Sequence, residues 1–386
     1  MPYVQRFLER ELMRSLKHFP VTAIVGPRQC GKSTLVKEAL KGHSRVVYLD
    51  LENPADLRKL EDAQWFFESQ KGRLICIDEI QRRPELFPVI RSTVDEWGGN
   101  GRFLVLGSAS RDLLRQSSES LAGRIAYRRL TPFLWTEVAK CRSIESYVTR
   151  GAFPPSLLAA SATRSFDWRE QFIASFLERD LLQWAGVSPV AMRRLWQMLA
   201  HFNGQTANYS ALASSLGVSD MTVRRHIDLL ANVYMVEVVP PFVSNLGKRL
   251  VKSPKVYIAD SGLAAALLNV RNFEDWQAHP GLGAAWEQIV LSNLKGRLPG
   301  VDVSFYRSSR GAEMDFVVQR GQKVVAVECK CSLSPSLTKG TAFALEDIQP
   351  LKTFVAAPVS EGWAMKPGVD VVSLGELSGK VQAVLA

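Results

Sequence analysis

Short apolar runs and longer amphipathic stretches follow one another along the first part of the chain. Val21 to Val25 and Leu74 to Ile77 are apolar almost without interruption, as strands covered on both faces of a parallel sheet are. Arg45 to Asp50, Phe103 to Leu106 and Ala126 to Leu130 read as three further strands. Val4, Phe7, Leu8, Leu12 and Leu16 fall at helical spacing and stop at Pro20, which predicts an amphipathic helix over residues 3–20 beside the first strand. Ser33 to Leu40 contains no breaker and reads as the start of a helix, and Pro54 opens a mostly helical stretch through Trp65 and Phe67. From Thr136 to about Ala200 the pattern is helical, with Phe166, Trp168, Phe172, Phe176 and Leu177 among its apolar positions.

The pattern then changes. Asn208 can cap a helix Tyr209 to Leu216, Gly217 turns the chain, and Ser219 can cap a second helix, Met221 to Ala231. A strand from Tyr234 to Val239 stops at Pro240-Pro241. Helix, glycine turn, helix and strand read as a winged helix-turn-helix. Ser219, Thr222, Arg224 and Arg225 stand near the start of the second helix and suit contacts to DNA phosphates and base edges. Lys248, Arg249 and Lys252 follow the wing, and His226 is expected on the helix surface. From Pro254 a second α/β unit begins, with a helix Ala285 to Leu298 and strands Val303 to Tyr306, Glu313 to Val318, Val324 to Cys329 and Thr353 to Ala356, then a closing helix.

The densest chemistry lies after the first strand. Gly26-Pro27-Arg28-Gln29-Cys30-Gly31-Lys32-Ser33, continued by Thr34, is a complete G-x-x-x-x-G-K-S between a strand and a helix. Such a loop gathers backbone N–H groups around an anion at a helix N-terminus. Lys32 would reach the β- and γ-phosphates of a nucleoside triphosphate, and the Ser33 hydroxyl would take a place on Mg²⁺. Asp78 and Glu79 end the strand that begins at Leu74: Asp78 is placed to hold Mg²⁺ through water, and Glu79 to activate the attacking water. Ser108, with Ser110 behind it, ends a strand expected between the two motif strands, where a polar side chain can touch both γ-phosphate and water. Arg124 is a candidate to act on the γ-phosphate of a neighbouring subunit, with Arg111 and Arg179 as rivals.

Composition narrows the setting. The 386 residues are 46% hydrophobic and 22% charged, enough for two or three domains with real cores. No apolar stretch is long enough to span a bilayer, the first ten residues are too charged for an export signal, and the five cysteines form no disulfide or zinc spacing. A cytoplasmic protein is expected. The net charge of +10 favours polyanionic partners, nucleic acid first.

The segments GPRQCGKS, LICIDEI, FLVLGSAS and SLAGR resemble AAA+ P-loop ATPases, and more narrowly a prokaryotic group whose C-terminal half has no known function. Gly151-Ala152-Phe153-Pro154, Glu178-Arg179-Asp180, Pro254-Lys255-Val256-Tyr257 with Asp260, Glu313-Met314-Asp315 and Glu328-Cys329-Lys330 extend the likeness over nearly the whole chain. The resemblance implies Mg²⁺-ATP hydrolysis and a homo-oligomer, with a hexameric ring among the arrangements. It divides the chain into an α/β P-loop AAA+ ATPase domain with a parallel sheet (1–135), a helical lid (136–200), a winged helix (201–253) and a C-terminal α/β domain (254–386). That last domain resembles the restriction-endonuclease-like PD-(D/E)xK nuclease core. Glu287, Asp315 and Glu328 would be its Mg²⁺ ligands, and Lys330, on the same strand face as Glu328, would stabilise the charged transition state. Three functions fit: a DNA-remodelling or translocating motor of helicase or branch-migration type, an ATP-gated Mg²⁺-dependent nuclease, and a nucleotide-switched signalling or defence protein.

Overall fold

The helices and strands of the computed structural model fall into two units, Met1–Phe133 and Leu134–Ala386, and the structure describes residues 3–108, 120–180, 187–242 and 252–386. In the first unit the order is α1 (Leu8–His18), β1 (Val21–Gly26), α2 (Lys32–Ala39), β2 (Val46–Asp50), α3 (Pro54–Lys59), α4 (Ala63–Ser69), β3 (Leu74–Asp78), α5 (Leu86–Trp97), β4 (Phe103–Ser108) and β5 (Ile125–Arg129). The strands form one parallel sheet in the order β2-β3-β4-β1-β5. β4 therefore lies between β1, which feeds the phosphate loop, and β3, which ends in the acidic pair.

The apolar runs have a direct cause. Successive side chains of a strand point to opposite faces, and both faces of this sheet are covered. Val21, Ala23, Ile75, Ile77, Phe103 and Val105 belong to the core on one face, while Ile24, Cys76, Leu104 and Leu106 belong to the core on the other. The helix expected from residue 3 starts instead at Leu8. The chain ahead of it is tied down by the buried Arg6, whose guanidinium donates to the carbonyls of Cys30 (3.1 Å), Thr131 (2.6 Å) and Pro132 (3.1 Å).

The second unit opens with helices: α6 (Trp135–Val138), α7 (Ile144–Arg150), α8 (Pro154–Leu157), α9 (Ala162–Ser175) and, after a π-helical turn Phe176–Asp180, α10 (Pro189–His201). α11 (Tyr209–Leu216), α12 (Asp220–Asn232) and a hairpin of β6 (Val236–Val239) and β7 (Lys255–Ile258) follow. The β6–β7 hairpin spans the expected 253/254 boundary, and Val256 and Ile258 share one core with Trp196, Leu212, Val223 and Ile227. Asp260 caps α13 (Ser261–Leu267) through the Leu263 N–H at 3.0 Å, and its other oxygen accepts from the Ala152 N–H at 2.6 Å. The Gly151-Ala152 turn and Asp260 are thus halves of one buried clamp.

α14 (Phe273–Ala278) and α15 (Leu282–Arg297) lead into β8 (Asp302–Arg307), β9 (Glu313–Arg320), β10 (Lys323–Cys329), α16 (Lys339–Ile348), β11 (Lys352–Ala357), β12 (Trp363–Lys366), β13 (Val369–Ser373) and α17 (Leu374–Leu385). Their strands make a mixed sheet in the order β12-β13-β11-β10-β9-β8, antiparallel from β8 to β10 and parallel from β10 through β11 to β13. Outside its last strand, residues 240–242 run along β8, with the Phe305 N–H on the Pro240 carbonyl (3.1 Å) and the Phe242 N–H on the Phe305 carbonyl (2.6 Å). Among the described residues no helix is long and apolar enough to cross a membrane.

Candidate functional site

The phosphate loop leaves β1 at Gly26, and it leaves through a gap only glycine fits: a Cβ there would sit 2.1 Å from the Leu130 carbonyl oxygen. Gln29 and Gly31 adopt left-handed backbone (φ 59° and 98°), which curls the loop before α2 starts at Lys32. Cys30 turns inward, its Sγ 3.6 Å from the Leu130 carbonyl, and burial pushes its thiol pKa up. Together with the Arg6 contact to the Cys30 carbonyl, this fixes the back of the loop and leaves its front for a ligand. Lys32 is buried, and its Nζ donates to the Gly26 (3.1 Å) and Pro27 (2.9 Å) carbonyls. The lysine is thereby held at the loop itself, with its charge at the helix N-terminus where phosphate oxygens bind.

Asp78 is buried at the end of β3. One carboxylate oxygen accepts from the Glu79 N–H at 3.0 Å, and the other accepts from the Tyr48 hydroxyl. Tyr48 stands on β2, and the Ser33 side chain lies near enough to its hydroxyl to act on it. Burial, then Asp78, drives its phenol far above the ordinary range, so it stays a neutral donor. One hydroxyl thus holds the residue of β3, and stands near the residue of the loop, that sequence placed on Mg²⁺. Both are hard oxygen donors within reach of one group, so the set fits a magnesium ion; such an ion, when bound, offsets charge on the β- and γ-phosphates. Glu79 follows in left-handed conformation (φ 57°) and accepts from the Gln81 side-chain amide. Non-glycine residues in this region cost on the order of 1–3 kcal/mol and concentrate at functional sites.

Tyr48 escapes a motif reading because the bond it makes crosses 30 positions of sequence. Its signature is a hydroxyl on the strand next to the acidic one, in register with Cys76 two residues before Asp78. Tyr48→Phe is expected to raise the Mg²⁺ concentration for half-maximal ATP hydrolysis about tenfold, the usual scale for losing a partner of a metal-holding carboxylate. A Mg²⁺ titration at fixed nucleotide measures it, and metal-free nucleotide binding should stay as it was.

The backbone of Ser108 lies opposite Gly26 in the β1–β4 register, so β4 ends beside the phosphate loop. Ser110 and Arg111 lie outside the described residues. The Arg124 guanidinium is held by Asp95 (Nη2 to Oδ2, 3.0 Å) and by the Ala122 carbonyl (3.1 Å). Any action of Arg124 on a nucleotide requires release of that pair. Arg179 sits on the π-helical turn, and its side chain lies outside what the structure describes.

In the second unit, Ser219 caps α12 by accepting from the Thr222 N–H (3.2 Å), and the two hydroxyls lie 2.9 Å apart. Arg224 and Arg225 are exposed, Arg224 lying 3.7 Å over the Tyr209 ring. His226, expected on the surface, is instead buried with Val223 and Ile227, because it lies on the helix face that meets the core. Lys248 and Arg249 lie outside the described residues.

The expected C-terminal metal ligands are brought close but not arranged around an open point. Asp315 on β9 accepts from the Cys329 N–H at 2.9 Å, and Glu328 accepts from Lys330 (2.7 Å) and the Thr341 hydroxyl (3.0 Å). Glu287 on α15 accepts from the Tyr257 hydroxyl at 2.7 Å. A residue not assigned from sequence, Lys255 of β7, reaches Glu287, Glu313 and Asp315. Burial pushes the Glu287, Asp315 and Glu328 carboxyls above their ordinary values. Burial also opposes charge on Lys255, but Glu287, Asp315 and Glu313 outweigh it and hold its pKa up. Among the described residues no group of three or more His, Cys, Asp or Glu is arranged to hold a metal ion. The residues expected to hold Mg²⁺ are ion-paired in this structure, Glu287 and Asp315 with Lys255 and Glu328 with Lys330.

A phosphate loop ahead of an acidic strand, on a parallel sheet with one strand between them, defines a P-loop ATPase of the AAA type. Residues 18–139 match the AAA domain family, residues 141–274 a domain of unknown function (DUF8612) and residues 282–377 another (DUF4143). The chain is 38% identical over 378 residues to the uncharacterized proteins Rv2008c of Mycobacterium tuberculosis and Mb2031c of Mycobacterium bovis, spanning 97% of this chain and 85% of each relative. It belongs to the family of these mycobacterial proteins. Among solved structures, the Walker-type ATPase paby2304 of Pyrococcus abyssi is similar at 16% identity and a TM-score of 0.49, over 69% of this chain and 96% of that one.

Proposed function

We propose that this ATPase acts on nucleic acid, as an oligomeric motor that remodels or moves along DNA with ATP and Mg²⁺. The observation that carries the reading is the helix-turn-helix of α11 and α12. Gly217 is left-handed between the helices (φ 67°), and Arg224 and Arg225 are exposed on the second helix with the capped Ser219–Thr222 turn ahead of them. On this reading the β6–β7 hairpin serves as the wing, and the net charge of +10 supports a polyanionic partner.

The test compares the Mg²⁺-ATPase rate alone and with single-stranded, duplex, forked and four-way-junction DNA. Stimulation by one of these, without cut strands on the same gel, is the expected result. Arg224→Ala/Arg225→Ala should weaken DNA binding and reduce the slope of log K against log salt by about 2, one for each phosphate no longer neutralised, with the DNA-free rate unchanged. Cut strands would favour an ATP-gated nuclease. A rate indifferent to every DNA, with no binding, would sink the motor and leave a nucleotide-switched protein.

A further inference from the structure

Lys255 is the first residue of β7, and only 4% of its side chain is exposed. Its Nζ lies 3.7 Å from Glu287 Oε2, 3.2 Å from Glu313 Oε1 and 3.7 Å from Asp315 Oδ1. Those three carboxylates come from α15 and β9, and the ammonium is the point at which they converge. The stem is fixed as well: β7 is paired along its length to β6, and the Nζ lies 5.5 Å over the Phe305 ring.

A magnesium ion needs oxygen ligands at about 2.0–2.1 Å in near-octahedral order. An ion shared by Glu287 and Asp315 would have to enter the space that the ammonium holds, and would bring two positive charges against a buried third. Two further oxygens of the set already accept hydrogen bonds: Asp315 Oδ2 from the Cys329 N–H, and Glu328 Oε1 from Lys330 and Thr341. A lysine that neutralises an acid cluster with three N–H donors does the electrostatic work of a metal while staying attached to the chain.

We propose that Lys255 is the resident cation of this cluster: its ammonium takes the position of the divalent ion, excludes metal from Glu287 and Asp315, and keys the β6–β7 hairpin onto the C-terminal sheet. The cluster is then a charge-balanced joint between the helix-turn-helix and that sheet.

The test is a Mn²⁺ titration of the nucleotide-free full chain, followed by Mn²⁺ electron paramagnetic resonance and calorimetry. Wild type and Asp315→Asn, which keeps an acceptor for the Cys329 N–H, should bind Mn²⁺ identically. Lys255→Met should acquire one Mn²⁺ site at least tenfold tighter than any in the wild type, and Lys255→Met/Asp315→Asn should lose it again. A wild-type Mn²⁺ site abolished by Asp315→Asn would overturn the proposal, as would a folded Lys255→Met that gains none. If Lys255→Met does not fold, Lys255→Gln takes its place, and the comparison of wild type with Asp315→Asn decides by itself. No nucleotide or DNA enters this measurement, so its outcome is independent of the motor reading.

Discussion

Lys32→Ala is expected to lower Mg²⁺-ATP turnover by roughly 10²-fold or more, the scale for removing one preorganised charged donor from a transition state. The side chain is buried at the first position of α2 and already donates to two carbonyls of the loop. Binding a triphosphate exchanges those neutral acceptors for charged oxygens, and the interaction strengthens as charge shifts during transfer. Alanine takes away the charge and also leaves the Gly26 and Pro27 carbonyls without their donor. Nucleotide binding should therefore weaken along with turnover, and equilibrium binding measured beside the steady-state rate would show both losses. A variant that kept its full rate would remove the loop from the chemistry.

Glu79→Gln should separate the two. Glutamine keeps the shape and an acceptor for the Gln81 amide, but it cannot take a proton from water. The expected loss is about 10²–10⁴-fold in hydrolysis, the usual contribution of a positioned general base, with nucleotide affinity close to wild type. Single-turnover hydrolysis of prebound ATP measures the first, and displacement of a fluorescent nucleotide the second. Equal losses in rate and affinity would mean that Glu79 is structural.

The contrast between these residues and Tyr48 shows what the sequence could disclose. Lys32 and Glu79 sit in local patterns, a loop and a strand end, whose chemistry is written in a few adjacent letters. β1, β3 and β4 are equally legible as buried strands, because such strands of a parallel sheet are apolar on both faces, while their order is read from the sheet itself. Tyr48 and Lys255 act through partners far along the chain, Tyr48 across to the neighbouring strand β3 and Lys255 to α15 and to β9 of another sheet, and no local pattern reports such pairings. Arg6 belongs with them: its carbonyl partners at Thr131 and Pro132 explain why α1 starts late, and nothing near Arg6 announces them. The strand β12 is illegible for another reason. β12 is exposed over most of its length and lacks the apolar run that marked the inner strands.

The segment Pro240–Phe242 has a practical meaning for anyone dissecting this chain. It occupies the free hydrogen-bonding side of β8 at Phe305, and β8 is otherwise an outermost strand of its sheet. Bare outer strands recruit further chains edge to edge. A fragment begun at the proline near residue 254 would shed that cover together with the partner strand of β7, and its copies would associate through β8. Self-association of such a fragment would report the cut, so any count of subunits has to be made on the intact protein.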